Sequence, residues 1–254
     1  MAQRRAPSPQ PRPRPRRRPT LGRQVLIAIA NLLAIAIAPL LLLLVAAAAA
    51  LFARALRHPA GPGSLAWFGL GLAAWLAGAA LAPLPVRLYV LGHELTHLLW
   101  ARLLGQRASL PRVHGRGGSI TVSTTNVWIS LAPYFYPFYV ALVVAGWELA
   151  GIWLDLARFR PLALLAAGAA LALHWTFTLL CLAQRQTDLA PHGRAFSLVL
   201  IAAANLLLTL VLTVWVVPGL NLADAGLTCA QVAGCAANLL APVWRKLGAP
   251  GAAR

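Results

Sequence analysis

Apolar positions in this chain fall in long unbroken runs rather than alternating with polar ones, and a run of that kind is either a buried element or a membrane span. A bilayer-crossing helix needs about 20 apolar residues. Six segments have that length and character: 25–53, 64–82, 86–104, 127–156, 161–183 and 195–217. The first contains Pro39 and is expected to tilt or kink. The fourth carries Pro133 and Pro137 near its start, so its helix is expected to begin after them. Over 220–247 the run is broken by Asn221, Asp224, Gln231 and Asn238, which predicts an interfacial helix within a C-terminal segment 218–254.

Between the third and fourth runs the texture changes. Residues 119–125 alternate β-branched apolar with hydroxyl side chains, and Gly115 to Gly118 offers a turn. That is a hairpin pattern, although an ordinary polar loop would read much the same. The predicted fold class is an all-α polytopic membrane protein with about six transmembrane helices and a short β-hairpin-like insertion. Its membrane domain covers 25–217, with a core at 86–217.

Composition agrees with a lipid-embedded chain. Of 254 residues 60% are hydrophobic and 11% charged, whereas a soluble domain is about half apolar and about a quarter charged. The net charge of +17 would suggest nucleic acid, but eight of the 22 cations lie in residues 1–24 and most others in short stretches between apolar runs. No basic surface with interleaved aromatics remains for nucleic acid, so none is expected as a partner. The Pro/Arg tail, 1–24, should be extended or disordered and rest on anionic lipid headgroups. It is not a signal peptide, because the apolar run after it is too long. The tail sets the orientation: with it inside, an even number of spans puts both termini in the cytoplasm. A bacterial inner membrane is the expected location. Arg102, Arg107, Arg112 and Arg116 pull the other way. Three cysteines (Cys181, Cys229, Cys235) give neither a disulfide framework nor a CxxC zinc site.

The third run contains His93-Glu94-Leu95-Thr96-His97, an HExxH motif. Residues four apart share a helix face, so both imidazoles can reach one zinc ion. Glu94 can then hold and deprotonate a water as general base. With six histidines and two glutamates in the chain, a chance match has odds of roughly one in a thousand. Ionisable residues inside an apolar span are costly and mark a functional site by default. His174 lies mid-span too, as a ligand, a neighbour of the ligands or a helix–helix hydrogen bond. Asn126 either steadies a substrate backbone or caps the next helix. Glu148 and Asp155 are expected to pair with Arg158 or Arg160, and Tyr134, Tyr136 and Tyr139 to act as interfacial anchors.

HExxH within an apolar helix, a β-like stretch after it and a later aspartate resemble the site-2 protease (M50) family of intramembrane zinc metalloproteases. The resemblance covers about residues 86–217. It implies zinc held by His93, His97 and a distant aspartate, with Glu94 as the base. Asp188, in Gln186-Thr187-Asp188-Leu189, best matches that aspartate, although the family's usual LDG or NPDG reads TDLAPHG here. No loop is long enough for a PDZ-like or CBS-like insertion. Depth along straight spans favours His174 as third ligand; charge compensation of Zn²⁺ favours Asp188. The function so implied is hydrolysis of peptide bonds in transmembrane segments of membrane-protein substrates. A non-catalytic scaffold or chaperone, or a metal transporter, are the alternatives.

Overall fold

The computed structural model describes residues 21–114, 117–184 and 186–248. The tail expected over 1–24 lies outside the described residues as far as residue 20. Residues 21–24 are helical instead of extended: once a helix is nucleated in the apolar run, adding a turn at its start costs little.

Helices α1 (Leu21–Ile37) and α2 (Pro39–Arg57) stand where one first span was expected. They meet at Ala38, because Pro39 cannot donate to the turn behind it but is well tolerated as the first residue of a new helix. Then come α3 (Gly61–Leu81), α4 (Val86–Leu103), strands β1 (Arg112–His114) and β2 (Gly117–Ser119), α5 (Val127–Phe135) and α6 (Phe138–Gly151). The chain ends with α7 (Arg160–Leu182), α8 (Arg194–Val216) and α9 (Leu222–Gly248).

Four helical segments are long and apolar enough to cross a membrane, Pro39–Arg57, Gly61–Leu81, Ala157–Leu182 and Arg194–Val216. They become five if the bent pair α5–α6 is one span. In the most apolar stretches of α2 and α3 only 17% and 6% of residues are buried, and Leu42, Leu70 and Leu76 point outward. Leaving a leucine exposed to water forfeits about 1.5–3 kcal/mol; a lipid surround removes that cost. This is the surface of a membrane protein. Helix α4 is not among the four, since Arg87, Glu94 and Arg102 put three charges in its 18 residues and His93, Thr96 and His97 dilute its apolar run further.

The most buried of these segments is the one containing α7, with half of its apolar stretch inside. It meets α3 through two glycines. A Cβ on Gly71 would stand 2.0 Å from the Leu165 carbonyl oxygen, and one on Gly168 2.0 Å from that of Phe68. Small residues let the backbones approach this closely, the usual device for helix pairs in lipid. Trp75 Nε1 adds a 3.1 Å hydrogen bond to Thr176 Oγ1.

Several expectations need correction. The fourth run is two helices: α6 begins after Pro137 as expected, but α5 precedes it from Val127 with Pro133 inside, and the chain bends 77° between them. Asn126 Oδ1 accepts from the Ile129 N–H at 3.0 Å and so starts α5 upstream. The bend falls at Tyr136-Pro137, and α6 ends at Gly151 rather than 156. In the hairpin, β1 pairs antiparallel with β2, Val113 opposite Gly118. Gly117 and Gly118 therefore lie in a strand, not in the turn; the turn expected at Gly115 falls outside the described residues. Of 119–125 only Ser119 is in β2, while Val122 makes an isolated bridge to Ala108. Glu148 accepts from Trp215 Nε1 at 2.7 Å and Asp155 from the Ala157 N–H at 3.1 Å. Arg160 stacks over Trp147 and Trp215 instead of forming the expected ion pair.

Candidate metal centre

Helix α4 presents His93 and His97 one turn apart, their rings 4.9 Å between centroids. The third member arrives from the turn after α7. Ligand atoms of His93, His97 and Asp188 all lie within 4.8 Å of one another, and His93 Nε2 is 3.9 Å from Asp188 Oδ2. Asp188 gets there because its segment folds back into the protein. Leu189 is buried among Leu131, Tyr134 and Ile201, and Gln186 Nε2 donates to the Cys181 carbonyl at 2.9 Å. Gly193 then turns the chain into α8 at φ 86°, a backbone region open to glycine and strained for other residues.

Each ligand is oriented by a partner. His97 Nδ1 is 2.7 Å from the Ile129 carbonyl oxygen. A carbonyl only accepts, so Nδ1 carries the proton and Nε2 is left with its lone pair. Proline supplies that carbonyl: Pro133 has no N–H to donate back to residue 129, the position four before it, so Ile129 O stays available within α5. His93 Nδ1 lies 3.1 Å from Tyr89 Oη, which is 3.2 Å from Cys181 Sγ. If Tyr89 accepts from His93 and donates to sulfur, His93 Nε2 is also left as an acceptor. Tyr134 Oη donates to Asp188 Oδ2 at 2.9 Å, and its ring meets His93 edge-on.

Glu94 is buried, and strand β2 lies against it. A Cβ on Gly118 would stand 2.7 Å from Val90 Cγ1, 2.8 Å from Glu94 Cγ and 2.9 Å from Glu94 Oε1. Only glycine brings the strand this near. On the other flank Gly92 leaves room for Tyr139, whose hydroxyl donates to the Leu88 carbonyl at 2.6 Å. A cavity of about 20 Å³ borders His93, Thr96, Tyr139 and His174, room for about one water.

His174 is buried on α7 but stands outside the ligand set. Asn205 is its polar neighbour. Asn126 is spent on its cap. The sequence missed Tyr89, Tyr134 and the Ile129 carbonyl as members of the site. Tyr89 had a signal, lying four residues before His93 on one helix face; Tyr134 is fully buried rather than an interfacial anchor.

Two imidazoles and one carboxylate, each held by a hydrogen bond, form a donor set that could hold a metal ion, and these are donor types that zinc accepts. Comparison with known proteins adds no identity: no protein-family model, no curated protein and no solved structure matches the chain.

Proposed function

We propose that this chain is an intramembrane zinc metalloendopeptidase of the site-2 protease type, cleaving transmembrane segments of other membrane proteins. One observation carries the reading: His93, His97 and Asp188 converge from α4 and the post-α7 turn, with buried Glu94 beside them on α4. Zinc held there supplies a Lewis acid for the scissile carbonyl and makes a water more acidic. The chain's own groups do the rest. Glu94 accepts the proton of the attacking water and passes it to the leaving amine nitrogen. An extended substrate pairs with the edge of β2 not occupied by β1, because a helical backbone hides the carbonyl to be attacked.

Helix α4 lies within the bilayer in this reading, its polar motif paired inward. A bacterial inner membrane is the proposed location, but six alternating crossings with both termini on one side do not fit: they would start α3 and α7 on opposite faces, whereas Gly219 beside His58 and Arg160 bonded to the Trp215 carbonyl put both starts beside the end of α8. The cations of the N-terminal tail, 1–24, are proposed as the partners of anionic headgroups.

Glu94→Gln tests the mechanism. It should keep zinc, since Glu94 is not a ligand, and lose at least about 10²-fold in cleavage of a transmembrane substrate in detergent. Zinc stoichiometry in His93→Ala equal to wild type would sink the metalloenzyme reading; retained cleavage in Glu94→Gln would remove Glu94 from it.

A further inference from the structure

The turn that carries Asp188 to the histidines is anchored on its inner side by Leu189, buried with residues of α5 and α8. The His192 N–H donates to the Leu189 carbonyl at 3.3 Å. Ser197 Oγ, one turn into α8, donates to the Gly193 carbonyl at 2.9 Å. Residues 187–192 are thus a run of turns tied directly to the start of α8. Where that start is fixed, the turn before it is fixed as well.

Helix α8 begins without a cap of its own. Its N-cap residue is Gly193, which has no side chain to accept from the first N–H groups. Asn31 of α1 supplies the acceptor instead: the N–H of Phe196, the third residue of α8, donates to Asn31 Oδ1 at 3.3 Å. A serine or aspartate at the N-cap would make this same bond. Here it comes from 165 positions away.

The approach is close. A Cβ on Gly193 would stand 2.5 Å from Asn31 Oδ1, 3.1 Å from Asn31 Cγ and 3.2 Å from Ile27 Cγ2. Glycine at 193 therefore makes room for the amide as well as for the positive φ. Leu26, Ile27 and Ala30 line a cavity of about 230 Å³ with Pro191, His192 and Phe196, so α1 meets the turn at Gly193 rather than along its length. Between Val25 and Ile37 Asn31 is the only polar residue in the sequence. A polar side chain in an apolar helix is costly in lipid and is kept where it has a partner.

We infer that Asn31 is a positioning residue of the metal centre. By capping α8 from outside it fixes the turn before Gly193, and through that turn it holds the Asp188 carboxylate opposite His93 and His97. The inference rests on the metal-centre reading and adds α1 to it. Without the cap the turn gains other conformations, and apparent metal affinity falls with the fraction of molecules that still present Asp188.

The test is zinc affinity of the full chain in detergent, measured by chelator competition for wild type, Asn31→Leu and Asn31→Asp. Wild type and Asn31→Leu are also compared in an Asp188→Ala background. Leucine keeps the size of asparagine and removes the acceptor, whereas aspartate keeps the acceptor. If Asn31 served only to seat α1, leucine would leave zinc binding untouched. Asn31→Leu should instead weaken zinc about fivefold, the equivalent of one helix cap at ~1 kcal/mol. Asn31→Asp should bind as wild type does. With Asp188 replaced, only the two imidazoles hold the metal, and residue 31 should make no difference. Wild-type affinity in a folded Asn31→Leu, a fivefold loss in Asn31→Asp as well, or a loss that persists without Asp188 would overturn the inference and leave the metal centre standing. A wild type that binds no zinc would bring down the metal-centre reading, and this inference with it. Should Asn31→Leu fail to fold, Asn31→Ala takes its place against the same outcomes.

Discussion

Pro133→Ala is the substitution whose consequences run in two directions. In α5 the proline withholds an N–H from Ile129 O, and that oxygen instead receives His97 Nδ1 at 2.7 Å. Alanine restores a backbone donor four residues along, which competes for the same carbonyl. The helix gains, because a proline within a helix costs about 3 kcal/mol relative to alanine. Packing loses, because Pro133 is buried and its ring carbons leave a void worth about 1 kcal/mol per methylene. These terms nearly offset, so the unfolding midpoint should move by only a few degrees. The metal site has no such compensation. Losing the orienting bond of a ligating histidine lowers metal affinity about 10- to 100-fold. The assay is zinc affinity by competition with a chromogenic chelator, run beside thermal unfolding of the metal-free protein. A folded variant that binds zinc as tightly as wild type would refute the role assigned to Pro133.

Tyr134→Phe removes only the hydroxyl that donates to Asp188, and should weaken zinc by about tenfold with little change in stability in the metal-free state; unchanged affinity would show that Asp188 needs no support. Gly118→Ala forces β2 away from Glu94 by about 0.6 Å, from 2.8 Å at Glu94 Cγ to ordinary contact at 3.4 Å. Zinc should be retained while cleavage falls by 10-fold or more, since sub-ångström displacement of a reacting group is costly; full activity would detach the hairpin from the chemistry. Asp188→Ala should lose zinc almost as fully as His97→Ala and His174→Ala only modestly, measured as bound metal after dialysis; the reverse order would make His174 the ligand.

The legible parts of the molecule were those that local rules decide. Runs of apolar residues marked out the helices, and HExxH on one of them placed two imidazoles on a common face. Asp188 was harder. Measured along straight spans it lies too shallow, and the value of a negative charge beside Zn²⁺ and the family resemblance argue for it. The depth argument failed on its premise. The chain does not leave the protein after α7 but folds back, with Leu189 buried among residues of α5 and α8. Burial of one leucine brings the neighbouring aspartate to the histidines.

The misread residues share a cause. Pro133, Gly117 and Gly118 read locally as punctuation, a helix breaker and a turn. In the fold Pro133 sits inside a helix whose last seven residues are all buried, and Gly118 sits inside a strand. Each breaks a local rule where a neighbour needs the atoms removed: an absent N–H frees a carbonyl for His97, and an absent Cβ admits β2 onto Glu94. Tyr134, too, was assigned to an interface by its type, while its partner lies 54 residues away. Local propensity is contradicted where a site imposes its own geometry. Three such contradictions around one pair of histidines therefore count as evidence for the site, separate from the motif that first drew attention to it. That inference is itself exposed to test: if the Pro133, Gly118 and Tyr134 variants all left zinc binding and cleavage untouched, the clustering would be packing alone.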